Sequence, residues 1–283
     1  MGTTGSRVAK ILGTNLVRLL LIAYSVIVLL PFVWMLYNSF KTNMQFNQNI
    51  WSLPTSLQWQ NYALANKKGH IETYMINSVI ITAIAVVLNA GLSALISYVI
   101  ARFRFPGQRF LHRLFLAGLL VPGMLAVIPY FFLARELHIY NTRLSVIIAD
   151  VFWGMPFAVF LLVAFFKTLP RELEQAAQID GCPHFQTFWL IMLPLARSGL
   201  ITVAIFNFLD YWSDYVLPLT LIADDPKKPV SLGLMEFTSA MSVRQDWGQL
   251  FAACVVCILP IILVYAIFQR RLIAGLTAGS LKG

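Results

Sequence analysis

Asp210 and Asp214 interrupt the run GLITVAIFNFLDYWSDYVLPLTLI, residues 199–222, which carries no other charge. Asn207, Asp210, Tyr211 and Asp214 stand at i, i+3, i+4 and i+7, one face of a helix, with Trp212 and Tyr215 beside it. A carboxylate at the centre of a membrane-spanning helix costs roughly 2.5–3.5 kcal/mol on insertion scales, so this face turns away from lipid. Carboxylates and an amide accept from hydroxyl groups, and flat rings suit C–H faces. Together they make a recognition set for a polyhydroxylated ligand. The face therefore lines a path for such a ligand, or its acids bridge to a neighbouring chain. Asn89, inside the run 78–101, is a further path candidate, although a single amide there also suits helix–helix hydrogen bonding.

The elements that must hold this face are membrane helices. Of the 283 residues 59% are hydrophobic and 12% charged, and mean hydropathy is +0.74. A water-soluble domain of this size needs more charge to cover its surface. Runs of roughly 18 or more apolar residues cross a bilayer, and six are present, at about 19–36, 78–101, 114–134, 144–166, 199–222 and 250–268. The expected fold is all-α, a single polytopic membrane domain over 1–283. Thirteen of the 21 Lys and Arg fall on the side that holds both ends of the chain and eight on the other, which predicts cytoplasmic termini. The net charge of +9 then meets anionic lipid headgroups, and no basic run is interleaved with stacking aromatics as nucleic-acid binding requires. No small-x-small site follows the first apolar run, so it is expected to stay as an uncleaved anchor.

The three cysteines point to no metal or redox centre. Cys182 lies in a loop expected to face the reducing cytoplasm, and Cys254 and Cys257 sit in the last apolar run with no histidine near them. The outer segment 37–77 carries Trp51, Pro54, Trp59 and Tyr62, which predicts folded structure there. In the other outer segment Asp224-Asp225-Pro226 predicts a turn, followed by the short apolar run 230–235.

The polar interruption 169–195, LPRELEQAAQIDGCPHFQTFWLIMLPL, has an architecture of its own. Pro170 suits a first helical turn and Glu172 and Glu174 suit the positive end of a helix dipole. Leu173, Ala176 and Ala177 form a narrow face of small residues. Gly181 predicts a left-handed helix stop, and Pro183 can open a second helix. There Phe185, Phe188, Trp189 and Met192 make a broad aromatic stripe at i, i+3, i+4 and i+7. Periodicity alone fits two readings equally: a small docking helix tied to the bundle, or an amphipathic loop on the bilayer surface.

This string resembles the EAA motif of ABC importer permeases: EAA, three residues, Gly, nine residues, Ile, one residue, Leu-Pro. The chain has Gln175, Ala176, Ala177, Gly181, Ile191, Leu193 and Pro194 at every required spacing, with Gln175 in place of the motif's glutamate and Glu174 just before it. YVIARFRFPG (98–107) and QRRLIAGLTAGSLKG (269–283) are similar to the carbohydrate-importer permeases of the maltose-system type. The resemblance implies the type I ABC importer permease fold in a prokaryotic inner membrane. It also implies a non-catalytic subunit working with a second homologous permease, two ATPase subunits and an extracytoplasmic sugar-binding protein. Glu174, Gln175, Ala176, Ala177, Asp180, Gly181, Ile191, Leu193 and Pro194 would then couple to the ATPase, and Gly275, Thr277 and Gly279 would contact it from the C-terminal tail. The family often has Trp-Asn-acid where this chain has Trp212-Ser213-Asp214.

No G-x-x-x-x-G-K-[ST] loop is present, so ATP and Mg would be held by the partner ATPase and this chain needs no cofactor. HExxH and GxSxG are absent too. The alternative is an ion-coupled secondary carrier using Asp210 and Asp214, but such carriers usually show internal repeats and none is evident.

Overall fold

The computed structural model describes the backbone from Thr3 to Ser280 and the side chains from Gly13 to Gln269. The described residues fold into helices and connecting turns. In chain order the helices are α1 (Thr3–Asn38), α2 (Asn43–Gln48), α3 (Gln60–Gly69), α4 (Ile71–Arg102), α5 (Gln108–Gly118), α6 (Met124–Glu136) and α7 (Arg143–Thr168). After these come α8 (Glu172–Ile179), α9 (His184–Thr187), a π-helical turn (Phe188–Met192) and α10 (Leu193–Leu195). The chain continues as α11 (Arg197–Ser213), α12 (Val216–Leu221), a 3-10 turn (Asp225–Lys227), α13 (Val230–Arg244) and α14 (Trp247–Ser280).

Among the described residues, four helices are long and apolar enough to cross a membrane: Gly13–Asn38, Ile71–Arg102, Arg143–Thr168 and Trp247–Gln269. The bent pair His184–Leu195 and Arg197–Ser213, turned by 73°, makes a fifth if counted as one span. Two windows that read as single helices in the sequence are broken. The window 114–134 divides into α5 and α6 around residues 119–123, where Pro122 has no N–H to continue the ladder. The window 199–222 divides into α11 and α12 at Asp214 and Tyr215.

The chain forms two compact units, one of residues up to Gly69 with Glu236–Val256, the other of His70–Met235 with the residues from Cys257 on. In the first, the segment after α1 is folded, as its aromatic content predicts. Trp34 lies within 6.1 Å of the rings of Phe46, Trp51 and Phe251. Lys41 is fully buried and donates through Nζ to the carbonyls of Asn49 and Ile50. Thr42 and Gln45 close a capping box on α2.

In the second unit α4 packs along α7. Ile81, Ala85, Asn89, Ser93, Ser97 and Ala101 recur every four residues on α4, all at most 8% exposed. Their small side chains let the backbones approach closely. Val151, Met155, Val159, Leu162 and Phe166 of α7 are buried in the same core. Two side chain–backbone bonds tie the pair: Asn89 donates to the Val151 carbonyl at 2.6 Å and Ser97 to the Val159 carbonyl at 3.4 Å.

At the N-terminal end of α4, Tyr74, Asn77 and Ser78 clasp the segment between α12 and α13. The Tyr74 hydroxyl donates to the Asp225 carboxylate, the Asn77 amide donates to the carbonyls of Pro226 and Lys228, and the Ser78 hydroxyl accepts from the Val230 N–H. The predicted turn at 224–226 is the 3-10 turn, and the apolar run 230–235 opens α13.

Candidate functional site

The two helix breaks explain the site. In an unbroken fifth helix the N–H of residue 218 would donate to the carbonyl of Asp214, but Pro218 has none. That carbonyl accepts instead from the Ser231 hydroxyl at 2.6 Å. Asp214 Oδ1 turns back to accept from the N–H groups of Val216 and Leu217, capping α12. Asp214 therefore does not continue the helical face of Asn207, Asp210 and Tyr211. It leaves the helix at ψ 123°. Irregular backbone at membrane depth is tolerated where it lines a cavity or is buried in protein, and here it lines one.

The cavity holds about 420 Å³, within the roughly 300–1,000 Å³ of small-molecule sites. The second break supplies Gly123 and Met124, α7 supplies Asp150 and Trp153, and the α11–α12 region supplies Asp210, Tyr211, Asp214 and Tyr215. Three carboxylates share the space, and no Lys, Arg or His lines it among the described residues. A Cβ on Gly123 would collide with the Trp153 indole, and one on Gly154 with the Tyr211 hydroxyl. Both glycines are therefore needed for the ring positions.

Four of the seven path candidates meet here: Asp210, Tyr211, Asp214 and Tyr215. The other three are placed elsewhere. Asn207, 3% exposed, donates to Asn89 Oδ1 at 2.7 Å and ties α11 to α4. Asn89 is wholly buried in the same chain of bonds. Trp212, 3% exposed, donates from Nε1 to the Cys257 carbonyl and stacks on Phe208. Asp150 escaped the sequence reading. It is a lone acid in the window 144–166 without a polar partner on its own helix face, yet the insertion cost that singled out Asp210 applies to it equally.

At the opposite end of α4 stands the element formed by 169–195. Its first helix starts at Glu172, two residues beyond Pro170, and ends in a Schellman motif. Gly181 has φ +76°, the Cys182 N–H donates to the Ala177 carbonyl and the Gly181 N–H to that of Gln178. Of the small-residue face predicted for docking, Leu173 and Ala176 are exposed, while Ala177 is buried at 3% exposed. Glu172, Gln175, Ala176 and Ile179 form the outward ridge, with Asp180 exposed beyond it. Glu174 is also turned inward, with Oε2 3.4 Å from Arg102 Nε. Arg102 Nη2 donates to the Leu169 carbonyl at 2.8 Å, so one arginine holds both the entry to the element and its first helix.

The aromatic stripe of the second helix is split. Phe188 and Met192 are buried, while Phe185 is 67% and Trp189 43% exposed. The π-helical turn at Phe188–Met192 has more residues per turn than an α-helix, which breaks the 3.6-residue register assumed from the sequence. Ile191 and Leu193 are half-buried and Pro194 is exposed. The side chains of Gly275, Thr277 and Gly279 lie outside the described residues.

Outside the spans, Asp224 and Asp225 titrate below the usual carboxylate range. Hydrogen bonds from Lys227 and Asn141 lower Asp224. Burial pushes Asp225 up, but bonds from Lys228 and Tyr74 outweigh it together.

Residues 90–277 match the family model described as binding-protein-dependent transport system inner membrane component. The diacetylchitobiose uptake system permease protein NgcG of Streptomyces coelicolor is 40% identical over 93% of this chain and 87% of its own length. The trehalose transport system permease protein SugB of Mycobacterium tuberculosis is 32% identical over 90% and 93%. Among solved structures, a bacterial ABC transporter involved in import of the acidic polysaccharide alginate superposes with a TM-score of 0.80 at 21% identity, over 95% of this chain and 98% of its own. That likeness concerns the fold. Matched along nearly its whole length by proteins named as permeases, the chain belongs to the family of binding-protein-dependent transport system inner membrane components.

Proposed function

We propose that this chain is the permease subunit of an ATP-driven saccharide importer and forms half of the translocation path as one membrane domain. The observation that carries the reading is the carboxylate-lined cavity opened at two helix breaks, in a chain whose relatives are named as permeases for diacetylchitobiose and trehalose. Six crossings are proposed, the third made by α5 and α6 together and the fifth by α11 and α12, with both termini in the cytoplasm. A second homologous permease would complete the path, two ATPase subunits would bind ATP and Mg, and an extracytoplasmic binding protein would deliver the cargo.

The outward ridge of Glu172, Gln175, Ala176 and Ile179 is the proposed ATPase seat, completed by Gly181 and the Ile191–Pro194 segment. Gln175 makes that contact through a neutral amide, since Glu174 is held by Arg102. The ion-coupled alternative rested on Asp210 and Asp214. Its case is reduced by the capping role of Asp214 Oδ1 and by membership of a binding-protein-dependent family.

The test is purification of the tagged chain in mild detergent followed by reconstitution. Recovery of an ATPase and a second permease, and ATP-dependent uptake of diacetylchitobiose or trehalose once the binding protein is added, is the expected result. Recovery of the chain alone, with uptake driven by a proton gradient, would overturn it.

A further inference from the structure

The cavity is left with two unmatched polar atoms. Asp150 is 2% exposed and its Oδ2 has no hydrogen-bond partner; Tyr211 is 5% exposed and its hydroxyl has none. Both line the same space. Buried polar atoms in folded proteins nearly always find partners, and an unpaired buried carboxylate is among the costliest exceptions. Both groups are also held in place. Asp150 precedes Val151, whose carbonyl takes the Asn89 amide, and the Tyr211 hydroxyl lies against Gly154, where no Cβ fits. A rigid acceptor and a rigid donor on two residues that line one cavity are complementary to a ligand that both donates and accepts.

A hydroxyl group does both at once: it donates to the carboxylate and accepts from the phenol. Trp153, seated over Gly123, supplies a flat wall for the C–H face of a ring. Asp210 and Asp214 line the same cavity with no basic side chain among the described residues to offset them. A cargo with carboxylate groups would bring an ionised group within apolar walls where no basic side chain among the described residues can pair with it.

The geometry points to Asp150 and Tyr211 as the pair that grips the cargo through its hydroxyl groups, and to the three cavity aspartates as a filter that admits uncharged saccharides and refuses uronates. This deepens the importer reading and rests on it. The pair acts on the cargo directly, whereas Gly123 and Gly154 are positioning residues.

The test uses the whole permease–ATPase complex in nanodiscs, without binding protein, by saturation-transfer NMR. The neutral probe is diacetylchitobiose and the charged probe a mannuronate disaccharide. Transfer to the neutral probe at least fivefold above the uronate is expected. Tyr211→Phe and Asp150→Asn should each lower the neutral signal at least threefold, and Asp150→Asn should narrow the gap between the probes. Equal transfer to both probes in the unaltered complex, no transfer to the neutral probe, or variants that leave its signal unchanged would each overturn the assignment. Co-purification and basal ATP hydrolysis report assembly, and if Asp150→Asn fails to assemble, Tyr211→Phe carries the test of the pair and Asp210→Asn that of the filter. Uptake into proteoliposomes with the binding protein present separates the two levels of the argument. Normal uptake by both variants refutes the gripping pair alone, whereas absence of ATP-driven uptake of any saccharide by the unaltered complex refutes the importer reading.

Discussion

Replacing Arg102 with alanine should release the first helix of the 169–195 element while leaving the α4–α7 core folded. The guanidinium side chain is 4% exposed and its partner Glu174 13%, so the pair is shielded from bulk water. Breaking a buried ion pair by deleting one partner costs about 3–5 kcal/mol. The lower end applies here. The 3.4 Å separation exceeds the roughly 2.7–2.9 Å of a strong charge-assisted bond, and Glu174 keeps some access to water once unpaired. The lost bond to the Leu169 carbonyl, at 2.8 Å, offsets part of that reduction. About 3 kcal/mol is therefore expected for local opening, or roughly a hundredfold at 1.36 kcal/mol per decade.

The assay is amide hydrogen exchange by mass spectrometry on the purified complex. A peptide covering 172–182 reports the Asp180 and Cys182 amides that close the helix, and one covering 158–166 reports the core. In Arg102→Ala the first should lose about two decades of protection and the second almost none. Glu174→Gln should cost less, because the amide oxygen still accepts. Unchanged exchange in 172–182 would refute the claim that Arg102 holds the element. Equal loss in both peptides would show that the arginine stabilises the whole unit instead.

Three further outcomes follow from the geometry. Gly181→Ala should cost about 1–2 kcal/mol of local stability from its left-handed backbone alone, since its Cβ meets open space, and should lower uptake per ATP hydrolysed; Gly181→Asn should do less harm. Ser231→Ala leaves the Asp214 carbonyl without its donor and should cost about 1–3 kcal/mol, yet clearly less in a Pro218→Ala background, where a restored N–H can serve that carbonyl; additive effects in thermal unfolding would contradict this. Because Asp225 titrates lower when folded, its contribution is present above the ordinary carboxylate range and is lost as pH falls through the folded value. Exchange in a peptide over 224–229, corrected for intrinsic rates, should be flat from about pH 5 to 8 and rise below about pH 4, and Tyr74→Phe should shift that rise upward.

What the sequence discloses follows the range of the forces involved. Gly181 was legible because its left-handed stop is set by its own backbone and confirmed within one turn. The folded segment after α1 was legible from its aromatic density. The breaks at Pro122 and Pro218 were harder, because a proline in an apolar run kinks a helix or ends it according to whether something distant accepts the freed carbonyl. For Asp214 that something is Ser231, in another helix. The direction of Glu174 was hidden for the same reason: its helix periodicity allows an outward direction, and Arg102 and Tyr98, both near the end of α4, hold it inward. Asn207 and Asp210 lie on one face by spacing, yet Asn89 takes the first into the helix packing and leaves the second to the cavity.

The placement of the cavity bears on how the proposed coupling would travel. Two of its three acids sit on the helices that flank the 169–195 element: α7 enters it and carries Asp150 and Trp153, and α11 leaves it and carries Asp210 and Tyr211. From Asp150 to the end of α7 is roughly 27 Å of helix at 1.5 Å per residue. Over its last turns α7 is packed through Ala158, Val159, Leu162, Val163 and Phe166, each at most 2% exposed. On the other side the path bends by 73° at Ala196 before α11 begins. In the proposed coupling, a push on the outward ridge of α8 would reach one cavity wall through α7, which carries Pro156 within that length, and the other through the 73° bend. Unequal displacement of two walls is what opens or closes the space between them. On that proposal, no separate relay of side chains would be needed for a seat on α8 to change what Asp150 and Tyr211 present to a cargo.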